Sequence, residues 1–181
     1  MYSDALFWTS EVGEAARGMA VYIDQLRLMD ALADGEICHI DLGDRFRARF
    51  GNPYAVIHRV DVHRSLLEGA QETGRVDIHT STRVERAQQD EHGVTVHCAN
   101  GRSHRGQALI GADGLWSPTR AAIVGDGAPR VSGHVTYRGV VPTEEILDRS
   151  HLDSMTIWVG PDLHLVQYRL RGGAVMNNVA T

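Results

Sequence analysis

The chain has 181 residues, 43% hydrophobic and 23% charged, with a formal net charge of −5. That length suits one domain, or a domain plus a small second lobe, and is enough to bury a core. The composition is not that of a disordered chain, and an acidic balance without a block of like charges gives nucleic acid or an acidic membrane nothing to bind.

In chain order, the predicted elements begin with a short helix, "EVGEAARGMAV" (11–21). Strands follow over 25–32 and 36–42, paired through Asp34-Gly35, a dipeptide that tolerates the positive φ of a tight hairpin. "GDRFRARFG" (43–51) reads as a short polar helix or turn, and "YAVIHR" (54–59) as a strand after Pro53. Apolar residues at Val62, Leu66, Leu67 and Ala70 predict a helix over 61–74, with Asp61 as N-cap and Gly74 beyond its end. Residues 75–113 read as successive strands, turning at Glu91-His92-Gly93 and at Asn100-Gly101. "SPTRAAIVG" (117–125) predicts a helix with Ser117 as N-cap and Pro118 at its first position. After "GDGAPR" (125–130) come a strand, a short helix around "PTEEILDRS" (142–150), and the strands "SMTIWVG", "HLVQYRL" and "GAVMNNVAT". The mixture predicts an α/β fold (α+β mixed), with one lobe over 1–130 and a second over 131–181.

No apolar run reaches the length of about 18 residues that a membrane span needs. The opening "MYSDALFWTSEVGEAARG" lacks the basic head and apolar core of a signal peptide. Cys38 and Cys98 have neither metal-ligand spacing nor the number for a disulfide framework, so the cytoplasm is the expected location. His58 and His63 share no face of a regular element, and no metal site is expected. The final segment stops in mid-strand and several strands would have bare edges, which predicts a piece of a longer protein.

The apolar run 108–110 gives way to Gly111-Ala112-Asp113-Gly114 before a helix. Ligands of open α/β sheets bind outside the carboxyl ends of strands, and glycines let backbone approach them. An aspartate there can accept hydrogen bonds from a ribose hydroxyl or an amide near a phosphate. It can equally bond its own backbone in a tight turn.

"LIGADGLWSPTR" (109–120) resembles the internal Asp-Gly motif of single-component flavoprotein aromatic hydroxylases, the p-hydroxybenzoate hydroxylase family. "PYAVIHRVDVHRSLLEGA" (53–70) is similar to that family's strand-to-helix segment, whose arginine lies against the flavin cofactor. "YRGVVP" (137–142) and "WVGPDLHLVQYRLRGG" (158–173) resemble the start of its aromatic-substrate sheet. The resemblance implies a partial FAD- and NAD(P)-binding domain, followed by the start of a mixed-sheet substrate domain. It implies a monooxygenase that hydroxylates a phenolic aromatic acid of the 3-hydroxybenzoate or salicylate type with NADH or NADPH and O2. FAD is the implied cofactor, a small aromatic molecule the implied partner, and a homodimer the expected full-length form.

By the same resemblance Arg59 contacts FAD, Val84 meets its adenine through the main chain, and Asp113 and Gly114 face its pyrophosphate side. His164 and Tyr168 are four apart on a predicted strand and so share a face. The resemblance makes them the pair that activates the phenol: an imidazole to take the proton and a hydroxyl to hold the oxygen. Each residue also has a plainer reading. Arg59 can pair with Asp61 or Glu68, Val84 can be a core valine, and the strand pair can be one exposed His and one packed Tyr. No Gly-x-Gly-x-x-Gly occurs in the 181 residues. "VGDGAPR" (124–130) lies too close to the first motif to be the family's second Gly-Asp motif and reads as a loop. Two alternatives therefore stay open. One is a catalytically silent piece that serves as an interaction module or pairs with a chain supplying the glycine loop. The other is a related flavoprotein reductase or epoxidase.

Overall fold

The structure is a computed structural model that describes residues 11–147 and 150–181. The start of the leader reading, residues 1–10, lies outside them. The described residues up to Val76, together with His134–Thr181, form one compact unit, and Asp77–Gly133 forms another.

In the first unit, helix α1 (Glu11–Met19) leads into strand β1 (Val21–Tyr22). The hairpin forms where expected: β2 (Gln25–Asp30) pairs with β3 (Gly35–Asp41), and Asp34 takes φ 52 in the turn. Asp30 closes that turn by accepting from the amides of Leu32 (2.8 Å) and Ala33 (3.0 Å). Residues 44–50 choose helix over turn, as α2 (Asp44–Phe50). The strand expected over 54–59 shortens to β4 (Ala55–Val56), which pairs with β1.

Helix α3 (Arg59–Glu72) starts earlier than expected, and Asp61 is not its cap. His58 has the extended backbone of an N-cap, and its Nδ1 accepts from the Val60 amide at 3.2 Å. That leaves the Asp61 carboxylate free for tertiary contacts.

The remaining strands are β8 (Tyr137–Pro142), β9 (Met155–Gly160), β10 (Leu163–Leu170) and β11 (Val175–Ala180). The strand expected from residue 131 begins only at Tyr137. The helix expected around 142–150 is reduced to a single 3-10 turn, Thr143–Glu145, with Asp148 and Arg149 outside the described residues. One six-stranded sheet runs in the order β3-β2-β9-β10-β11-β8. Only β2 and β9 run parallel. The sheet thus takes two strands from before residue 130 and four from after it.

Ile23, Leu42 and Met155 form the core of this unit, with Leu26, Phe46, Tyr54, Val166 and Tyr168 packed against them. Each side chain so buried contributes up to about 1.5–3 kcal/mol. The opposite face carries a polar ladder: Trp158 Nε1 donates to Gln167 Oε1 (2.9 Å), and Gln167 Nε2 donates to Asn178 Oδ1 (2.7 Å).

The second unit holds a three-stranded antiparallel sheet of β5 (Val84–Asp90), β6 (Gly93–Cys98) and β7 (Ser103–Gly106), with turns where expected. Residues 75–83 and 107–113, read as strands from sequence, pair with no strand among the described residues. Ile110, expected in a buried strand, is 90% exposed. A strand exists through its neighbour's amides and carbonyls, and no described strand offers them to 107–113. Helix α4 (Pro118–Ile123) forms as expected, with Ser117 Oγ accepting from the Arg120 amide at 2.9 Å.

Candidate functional site

In the second unit, the turn before α4 is built around Asp113. Its Oδ1 accepts from Ser117 Oγ at 2.5 Å, and its Oδ2 accepts from Thr119 Oγ1 at 2.8 Å and the Thr119 amide at 3.2 Å. The Ser117 hydroxyl, and after it Thr119, pull the carboxyl down to about 2. Asp113 is therefore an anion at neutral pH, engaged by its own turn. A Cβ on Gly111 would stand 2.7 Å from Thr119 Cγ2, so only glycine lets Thr119 reach Asp113 without strain. Gly114 differs: at φ 77 it has no atom within 4 Å of where a Cβ would stand, and its backbone is open to approach.

A groove of about 740 Å³ runs beside this turn, bounded by Val84, Leu109, Asp113, Trp116 and Pro118. Two of the expected residues, Val84 and Asp113, thus border one space. Val84 is 41% exposed and so is no core valine. It opens β5, an edge strand of its sheet. A second groove of about 880 Å³ shares Val84, Leu109 and Thr119 and extends to Ile123 on α4.

In the first unit, Arg59 occupies the first position of α3 and is exposed. The ion pair weighed for it with Asp61 does not form. Asp61 instead binds Arg64 Nη2 (2.7 Å) and Arg171, through Nε at 3.1 Å and Nη2 at 3.3 Å. Arg171, and then Arg64, hold the Asp61 carboxyl below its ordinary range against the opposing effect of burial.

His164 and Tyr168 both lie on β10 and share the sheet face that carries Met155 and Val166. Tyr168 is half-buried against the core cluster, while His164 is exposed near the strand's start. His164 is pinned by its backbone, which exchanges two 3.0 Å hydrogen bonds with Thr181. Exposure and packing by themselves match the plainer reading of the pair; the shared face keeps the functional one.

Among the described residues, no group of three or more His, Cys, Asp or Glu side chains could hold a metal ion. No helix among them is long and apolar enough to cross a membrane. Sequence reasoning missed Arg171 and the Gly111–Thr119 contact. The first had a faint signal in "RLRGG", where two glycines after an arginine announce a left-handed turn. The second had none, because it is a packing contact between residues eight apart.

Residues 24–160 match a family described as FAD binding domain. The chain belongs to this FAD binding domain family. It is 55% identical over 170 residues to the 3-hydroxybenzoate 6-hydroxylase of Polaromonas naphthalenivorans, covering 94% of this chain and 42% of that protein. It is 44% identical to 3-hydroxybenzoate 6-hydroxylase 1 of Aquipseudomonas alcaligenes, covering 94% and 43%. Klebsiella pneumoniae HpxO, solved with FAD and uric acid, shares the fold of this FAD binding domain chain. The TM-score is 0.78 at 23% identity, over 92% of this chain and 42% of HpxO. The aromatic-hydroxylase resemblance read from the motifs holds over nearly the whole chain. The chain spans less than half the length of these relatives.

Proposed function

We propose that the chain is the central part of an FAD-dependent monooxygenase that hydroxylates a phenolic aromatic acid, of the 3-hydroxybenzoate or salicylate type, with NADH or NADPH and O2. The observation that carries this reading is the 55% identity, over 94% of the chain, to a protein named 3-hydroxybenzoate 6-hydroxylase. Residues 1–130 are the partial FAD-binding lobe and 131–181 the start of the substrate lobe, with β2 and β3 reaching into the latter's sheet. A cytoplasmic homodimer acting on a small aromatic acid is the form proposed for the full-length protein.

The chain's own residues fit the cofactor. Each unit, taken by itself, carries groups of a kind that a dinucleotide pyrophosphate attracts: a cation at a helix N-terminus in the first, and backbone open to close approach in the second. Arg59 offers an exposed guanidinium in the first turn of a 14-residue helix. Gly114 offers open backbone, and the main chain at Val84 borders the same groove as Asp113. Asp113 serves by holding the turn through Ser117 and Thr119. When bound, the flavin supplies the oxygen-transfer chemistry. The protein's part is proton handling and orientation. A ring nitrogen of His164, exposed and reachable, takes the phenol's proton. The Tyr168 hydroxyl, its ring steadied by the core, donates to the phenolate oxygen.

The purified chain is expected to take up FAD, to turn yellow and to melt at a higher temperature with FAD present. A colourless protein that FAD does not stabilise overturns the reading. In the FAD-loaded protein, His164→Ala is expected to slow 3-hydroxybenzoate-dependent NAD(P)H consumption about 100-fold. An unchanged rate removes His164 from the mechanism.

One observation favours a second reading. The apolar stretch 108–112 pairs with no strand among the described residues, which suits a module completed by another chain. A chain that stays colourless alone but turns yellow when mixed with a glycine-rich βαβ partner would select that reading.

A further inference from the structure

Asp61 is the only charged side chain buried among the described residues, at 2% exposure. Its main partner, Arg171, lies 110 positions away along the chain. Arg171 follows β10 directly and holds a left-handed backbone at φ 53, which residues with a side chain avoid. Neither element needs the contact for its own sake. Helix α3 is already capped by His58, and β10 is laddered on both sides. Where packing is the only requirement, apolar residues serve as well as a buried ion pair. What the pair joins is specific. Arg59 stands two positions before Asp61 in the same helical turn, and Tyr168 stands three positions before Arg171 at the end of β10.

We propose that the Asp61–Arg171 pair is a positioning device, which fixes the turn carrying Arg59 against the strand end carrying Tyr168 and so sets the spacing between cofactor contact and substrate contact. This rests on the function proposed above. Two nitrogens of one guanidinium meet the carboxylate, so the pair constrains angle as well as distance. Neither Asp61 nor Arg171 is placed in contact with a reacting atom.

The test uses the FAD-loaded chain, with 3-hydroxybenzoate as probe, in wild type, Asp61→Asn and Arg171→Lys. Flavin fluorescence reads FAD affinity, and the flavin absorbance change on adding the probe reads how the two sites are set relative to one another. Asp61→Asn keeps the shape and removes the charge. It is expected to weaken probe affinity about tenfold and to alter the absorbance change. Arg171→Lys keeps the charge, loses the two-pronged geometry, and is expected to shift both in the same direction by less. A pair that is merely structural would lower the melting temperature and leave affinity and spectrum unchanged well below it. That result in a folded Asp61→Asn overturns the proposal. If circular dichroism shows Asp61→Asn unfolded, Arg171→Lys decides by the same criterion. A wild-type chain that takes up no FAD removes the functional reading, and this inference with it. Wild-type uptake with unchanged variants removes the inference alone.

Discussion

The two compact units each organise a site around an aspartate, and the two aspartates are held in opposite ways. Asp61 is buried, at 2% exposure, and faces two arginines. Asp113 is exposed and faces two hydroxyls and an amide, all within six residues of it. Both carboxyls lie below their ordinary range. Taking a carboxylate out of water costs several kcal/mol, and only cations with hydrogen-bond geometry offset that. An exposed carboxylate keeps its water, so hydroxyls are enough to direct it. One residue type therefore works through tertiary packing in the first unit and through a local turn in the second.

The difference can be broken at three points. Asp61→Ala carries the largest expected effect, a loss of about 2 kcal/mol measured by urea unfolding. That is below the range of a fully buried pair, because the Arg64 and Arg171 side chains are 55% and 50% exposed and water screens them. A loss no greater than that of a surface substitution would put Asp61 in the same class as Asp113. Gly111→Ala comes next, at about 1 kcal/mol, from forcing a methyl against Thr119. Its sharper readout is the Asp113 carboxyl, whose titration by NMR is expected to move up from about 2 as Thr119 is displaced. If that titration stays in place, Thr119 does not hold Asp113.

The smallest effect is the pH dependence of Asp113 itself. A carboxyl whose pKa is lowered by folding adds stability that is complete above its unfolded value and is lost as pH falls through the folded one. The melting-temperature difference between wild type and Asp113→Asn should therefore be constant above the ordinary value of 3.8 and shrink as pH falls toward about 2. A difference that does not shrink would mean the hydroxyls recognise the shape of the side chain rather than its charge.

Much of this was readable from the chain itself, wherever the cause lies within a few residues. Asp34-Gly35 announces its hairpin because few residues tolerate φ 52. Ser117 and Pro118 announce α4 because a helix start needs an acceptor and can spare an amide. His164 and Tyr168 share a face because strands alternate. The Asp113 turn was readable too, although two of its three donors proved to be side-chain hydroxyls beside the Thr119 amide. The reading failed where the cause lies at a distance. Residues 108–112 have the composition of a buried strand, but a strand needs a partner's backbone. Asp61 has the spacing of an N-cap, but His58 caps the helix and Arg171 claims the carboxylate.

The sequence by itself determined the order of most elements, and its motifs carried the resemblance that points to the family. Local sterics and hydrogen bonding set those elements within a turn or a strand. Only the tertiary structure decided that Asp61 is buried, that Arg171 reaches it across 110 residues, and that β2 and β3 join the sheet of β8–β11. Those contacts follow from which surfaces leave water together, a property of the folded chain that no short stretch of residues carries alone.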